Sequence, residues 1–196
     1  MNFNFDAWRE GYDGMTWPDH VETYSKLHAL YPVQQHFDSR ACGQFLDIIR
    51  PHSVWEIGGW DGELASIVLG TRPWIDRWEN VDVCREVVAT PICRDPRYSA
   101  RLGPQLLTGD VLVMSHVAEH MRWDELRFLF GRIPAVKAVY LASPLPLDGH
   151  QNPDWRGYPG THILEVGWDE IDRDLITRGF HLMQMPQTHE VRCWAR

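Results

Sequence analysis

No apolar run in the chain approaches the roughly eighteen residues that a membrane-spanning helix needs, which excludes a helical span. Cysteine is scarce: four residues, at positions 42, 84, 93 and 193, and no C-x-x-C pair among them. That pattern argues against a zinc site built from them and suggests reduced, partly buried thiols. Positive charge is also short. Only Lys26 and Lys137 are lysines, and the formal net charge is −8. A phosphate backbone needs a basic footprint, so this balance argues against nucleic acid as a partner. Six arginines do fall between Arg72 and Arg101, but five acids are interleaved with them, as on a solvated surface. The first ten residues, MNFNFDAWRE, hold no basic stretch followed by an apolar core. No signal peptide is expected, and the expected compartment is the cytoplasm. Repeats and low-complexity tracts are lacking as well.

What the chain does contain is a steady alternation of short apolar runs and helical periods. At 196 residues with 44% hydrophobic content, it can form one domain burying roughly 70% of its unfolded surface. Residues 1–40 are aromatic and polar, with Pro18 and Pro32 interrupting them, and are expected to form a helical extension or lid. From residue 41 to 196 a single domain is expected. SRACGQFLDIIR has a helical period and stops before Pro51; SVWEI, RWENVDV, DVLVMS and AVKAVYLAS read as strands. ELASIVLG, a short piece through Val87 and Val88, WDELRFLFGRI with Asp124 as its N-cap, and GWDEIDRDLITRGF read as helices between and after them. The tail reads as two strands around a turn at residues 186–188. The fold class is therefore α/β: one doubly wound, mostly parallel sheet of about seven strands, a C-terminal antiparallel hairpin at one edge, and helices on both faces.

The stretch VWEIGGWDGELA, residues 54–65, runs from a strand through a glycine-containing turn into a helix. A dinucleotide site wants G-x-G-x-x-G, but from Gly58 that spacing meets Trp60 and Glu63 instead of the second and third glycines. No Gly-Lys-Ser or Gly-Lys-Thr follows, so a P-loop fails too. A nucleotide-dependent oxidoreductase therefore has the weaker claim. HVAEH, residues 116–120, satisfies the H-x-x-E-H pattern of some zinc peptidases. It follows directly on an apolar strand, however, and no metal is expected.

Acid-x-G-x-G-x-G, present as Glu56-Ile57-Gly58-Gly59-Trp60-Asp61-Gly62, resembles motif I of the class I S-adenosylmethionine-dependent methyltransferases, with Trp60 in place of the middle glycine. DVLVMSHVAEHM resembles that family's fourth-strand segment at Asp110, Ser115, Val117, Glu119 and His120. The resemblance covers roughly residues 40–196. It implies S-adenosyl-L-methionine as cofactor, held by Glu56, Gly58, Gly59, Trp60, Gly62, Asp82, Val83, Ser115 and His116. Asp82, at the end of the second strand, would accept hydrogen bonds from both ribose hydroxyls, and Asp95 is the candidate for the adenine. The ring of Trp60 would either shelter the cofactor or face the core. Glu119 and His120 would orient the loop beneath the cofactor.

The implied reaction is methyl transfer to a small molecule such as a sugar, lipid precursor or secondary metabolite, with oxygen as the acceptor atom. Ser115 and His116 follow the fourth strand, and the Pro/Gly-rich loop SPLPLDGHQNPDWRGYPGTH follows the fifth. That loop carries Asp148, His150, Trp155, Tyr158 and His162. His116 and His150 are the candidate general bases, and Trp8, Trp17 and Tyr24 would close the pocket or form a packing layer. A non-catalytic relative that keeps the fold and binds a partner is the alternative.

Overall fold

The computed structural model describes Glu22 and residues 32–82, 85–103, 109–133, 135–144, 164–185 and 190–196, without the side chains of 32–38, 86 and 87. Val83, Cys84, His150 and the other named loop residues, and the aromatics Trp8, Trp17 and Tyr24, lie outside the described residues.

Helix α1 spans Pro32–Ile49, β1 Ser53–Ile57, α2 Glu63–Leu69, β2 Arg77–Asp82, α3 Arg85–Ala89 and β3 Tyr98–Leu102. Then come β4 Val111–Ser115, a 3-10 turn Ala118–His120, α4 Trp123–Phe130, β5 Ala138–Ala142, α5 Trp168–Thr177, β6 His181–Leu182 and β7 Val191–Ala195. The strands form one sheet in the order β3-β2-β1-β4-β5-β7-β6. β1 to β5 pair in parallel, while β7 is antiparallel to β5 and to β6 at one edge.

The period-two alternation of a strand sends neighbouring side chains to opposite faces, and here both faces are covered. Val111 and Val113 join the core beneath α1 and α2, with Phe45, Leu46, Val68 and Leu69. Leu112 and Met114 join the core beneath α4 and α5, with Leu126, Phe130, Trp168 and Ile171. Each of these large apolar side chains is essentially fully buried and contributes about 1.5–3 kcal/mol by leaving water. A strand buried on both sides reads in sequence as an unbroken apolar run, which is why β4 and β5 were legible.

Two local details differ from expectation, the start of α1 and the N-cap of α4. α1 begins at Pro32 rather than near Ser39; a proline in the first turn forfeits only an N–H that has no helical partner. The helix closes with Arg50 in a left-handed conformation, φ 52°, its N–H donating to the Leu46 carbonyl at 2.9 Å. The N-cap of α4 is Arg122, not Asp124: the Glu125 carboxylate accepts the Arg122 N–H at 2.9 Å, and Asp124 lies inside the first turn.

Candidate functional site

A ligand crevice in an open α/β sheet forms outside the carboxyl ends of the strands where the order of connection reverses. Here that point lies between β1 and β4, and two loops meet there: residues 58–62 after β1 and 116–120 after β4. They approach so closely that a Cβ on Gly58 would stand 2.4 Å from Val117 Cγ2, and Gly58 also has φ +67°. Only glycine fits both conditions. Gly58→Ala is expected to destabilise the fold by about 2 kcal/mol, from left-handed strain plus overpacking. Adding Val117→Ala should restore part of that loss in a denaturant-melt double-mutant cycle.

The glycine turn is fastened from below by β2. Asn80, fully buried, accepts the Gly59 N–H at 3.0 Å and donates to the Trp60 carbonyl at 2.9 Å and the Tyr98 hydroxyl at 3.2 Å. Asp82, buried at the end of the strand, accepts the Trp60 N–H on Oδ2 at 3.1 Å. Trp60 is thus held in the left-handed region, with φ 48°, at a cost of about 1–3 kcal/mol for a bulky residue. Its side chain is half-buried. Gly62, φ +85°, starts α2 directly over the Tyr98 hydroxyl, 2.6 Å from where a Cβ would sit.

Neither Asn80 nor Tyr98 stands out in the sequence. The available signal was an amide within RWENVDV on the same strand face as Trp78 and Asp82, and only the fold shows what it holds.

Glu56 does not present its carboxyl to the crevice. It is buried under Gly59 and accepts the Trp78 indole N–H at 2.8 Å. Burial raises its pKa to about 7; the Trp78 hydrogen bond opposes the rise, and the nearby Asp82 and Asp61 charges add to it.

After β4, Ser115 pairs with Ala142, and His116 turns into the left-handed region, φ 53°, its N–H donating to the Ala142 carbonyl at 2.8 Å. Histidine tolerates that region better than most residues. The turn aims His116 Nδ1 at Glu119 Oε1, 3.4 Å away. Glu119 is buried, and its Oε2 accepts the Ser143 hydroxyl at 2.7 Å. Its backbone carbonyl accepts the Leu164 N–H at 3.2 Å. Burial alone would raise its pKa. The His116 hydrogen bond, the charges of His120 and His116, and the Ser143 hydroxyl outweigh burial and hold it at about 2.

HVAEH is thus not a helix presenting two histidines on one face: residues 118–120 form a single 3-10 turn and His116 precedes it. Among the described residues, no group of three or more His, Cys, Asp or Glu is placed to hold a metal ion.

Two acids stand elsewhere. Asp95 precedes β3, away from the strand's carboxyl end, and is engaged by Arg97 through bonds of 2.6–2.9 Å. The Arg97 side-chain hydrogen bond brings its pKa down to about 2. This placement does not suit the adenine role. Asp110 staples the amino ends of β1 and β5, accepting the His52 N–H at 2.9 Å and pairing with Lys137 at 2.6 Å.

The sheet order and the two loops define the fold of the class I S-adenosylmethionine-dependent methyltransferases. Human N-acetylserotonin methyltransferase, solved in complex with SAM, is similar at TM-score 0.62 and 16% identity, over 81% of this chain and 51% of that one. CalO1, a methyltransferase in calicheamicin biosynthesis solved in its SAH-bound form, is similar at TM-score 0.62 and 15% identity, over 95% and 62%. The DhpI–SAH complex is similar at TM-score 0.62 and 14% identity, over 88% and 90%. The chain thus spans about half the length of the human enzyme. No family model matches the chain, and no curated protein matches it by sequence.

Proposed function

We propose that this chain is an S-adenosylmethionine-dependent methyltransferase that methylates a small molecule, on oxygen. The observation that carries the reading is the buried carboxylate of Asp82 at the carboxyl end of β2, beside a glycine turn at the β1/β4 reversal point. An acceptor there suits ribose hydroxyls, and the turn gives a backbone with no Cβ at Gly58, Gly59 and Gly62. The residues present fit an adenosyl cofactor. Gly58 to Gly62, Asp82, Val83, Ser115 and His116 are the proposed binding set. Glu56 acts beneath the turn rather than on the ligand.

When bound, the cofactor supplies an activated methyl group. The chain's part is to align an acceptor oxygen, which is worth up to roughly 7–11 kcal/mol of barrier, and to take the proton that oxygen loses. His116 is the proposed base within the described residues, and His150 is the second candidate. The net charge of −8 favours a small acceptor over nucleic acid. That three structural neighbours were solved with SAM or SAH supports the cofactor.

A non-catalytic relative is the second reading, and one observation favours it: the Trp60 backbone already occupies an Asp82 oxygen. A thermal-shift series separates the two. Ligand at a hundred times its dissociation constant adds about 2.7 kcal/mol, a rise of roughly 5–11 °C for a domain of this size. The enzyme reading expects that rise with S-adenosylhomocysteine but not with NAD, reduced in Asp82→Ala. No shift with either ligand supports the binding-protein reading.

A further inference from the structure

The loop after β4 holds a second arrangement, in which His116 of the proposed binding set faces a buried acid outside that set. Glu119 is 1% exposed, yet it reaches two different strand ends. One carboxylate oxygen takes the Ser143 hydroxyl just beyond β5, at 2.7 Å. The other faces Nδ1 of His116 just beyond β4, at 3.4 Å. His120 Nε2 stands 3.9 Å from that same oxygen. His116 keeps about a quarter of its side chain exposed, 26%, on a left-handed backbone.

A buried, ionised carboxylate can only accept hydrogen bonds. An imidazole nitrogen facing it must therefore carry the proton, and the other ring nitrogen then bears the lone pair.

We propose that Glu119 is a positioning residue: it holds His116 as the Nδ1–H tautomer, making Nε2 the ring's proton-accepting atom at the β1/β4 crevice. As a statement about tautomer, this stands on the geometry of Glu119, His116 and Ser143 together with an ionised Glu119. Its use in catalysis rests on the methyltransferase reading. There, the acceptor hydroxyl gives its proton to His116 Nε2 as its oxygen lone pair forms the new bond to the methyl carbon. The pair of the breaking carbon–sulfur bond stays on sulfur. Glu119 stabilises the imidazolium that results without taking its proton.

The test is nitrogen NMR of the full chain with labelled histidine, with the His116 signals assigned by their loss in His116→Gln. In the wild type, at a pH where the ring is neutral, Nδ1 should be protonated and Nε2 unprotonated. In Glu119→Gln the tautomer preference should weaken, and the His116 titration midpoint should fall by about one pH unit, a tenfold loss of proton affinity. Glu119→Asp, which retains the charge, should recover most of that midpoint. A residue that merely braced the loop would leave the midpoint where it was. A wild-type ring found as the Nε2–H tautomer, or a midpoint unmoved in both Glu119 variants, overturns the proposal. The wild-type spectrum fixes the tautomer even if Glu119→Gln fails to fold. Calorimetric titration of the wild type with S-adenosylhomocysteine is run alongside. Absence of binding to the wild type would sink the methyltransferase reading while leaving the tautomer result to stand.

Discussion

Asn80→Ala is expected to lower the stability of the chain by about 3 kcal/mol and to abolish binding of adenosyl ligands. The side chain makes three hydrogen bonds from a fully buried position: from the Gly59 N–H, to the Trp60 carbonyl and to the Tyr98 hydroxyl. Each bond contributes about 1 kcal/mol net, and leaving its partner buried and unmet costs about 1–3 kcal/mol more. Some relaxation and water entry will reduce the sum, so about 3 kcal/mol is a conservative figure. For a domain of this size it lowers the melting midpoint by roughly 6–12 °C. The functional loss follows because the freed turn no longer holds Trp60, in its strained left-handed conformation, against Asp82. Asn80→Asp should do no better. It keeps the acceptor for Gly59 but loses both donors, and it adds a charge in the register position beside Glu56. Thermal melts and calorimetric titration of both variants measure the two effects separately. A destabilisation below about 1 kcal/mol would mean that the turn is held from elsewhere.

Glu56→Gln has the opposite sign. Burial raises the carboxyl from 4.5 to about 7, against the Trp78 hydrogen bond and with help from the Asp82 and Asp61 charges. Between those two pH values the folded protein binds a proton that the unfolded chain has released, so stability falls as pH rises through that window. The full penalty is in place above pH 7 and amounts to about 3 kcal/mol for a shift of this size. A glutamine carries no charge to bury, and its carbonyl oxygen can still accept the Trp78 N–H. The variant should therefore match the wild type near pH 4.5 and exceed it by up to about 3 kcal/mol at pH 8. Denaturant melts at the two pH values check this. Equal stability at pH 8 would show that the folded protein bears the Glu56 charge without penalty.

Much of the architecture was legible because parallel strands covered on both faces are written as apolar runs. β1, β4 and β5 announce themselves in that way, and the helices between them by their period. β3 was not legible. As an edge strand with the half-exposed sequence YSARL, it has neither a full apolar run nor a clean alternation. The start of α1 was obscured because Pro32 reads as a break when it is a first-turn residue.

At the candidate site, the glycine turn was visible in its spacing and Asp82 was named through the family resemblance, but nothing in the sequence showed the burial of Glu56. The Asn80 clasp joins residues about twenty positions apart, and nothing in either segment advertises the other. The His116–Glu119 pair is three residues apart and visible on paper. Its meaning depends on the left-handed turn at His116 and on Ser143, a residue from the next strand's end. Those are tertiary facts.

An adenosyl site formed by the glycine turn after β1 and the end of β2 is the claim on which the functional reading depends. Hydrogen exchange of the backbone amides, with and without saturating S-adenosylhomocysteine, is its sharpest test. Slowed exchange is expected in the peptides that contain Gly58 to Gly62 and the end of β2, weakened in Asp82→Ala. Binding with protection confined to other segments, or no change in exchange at any concentration, would contradict it.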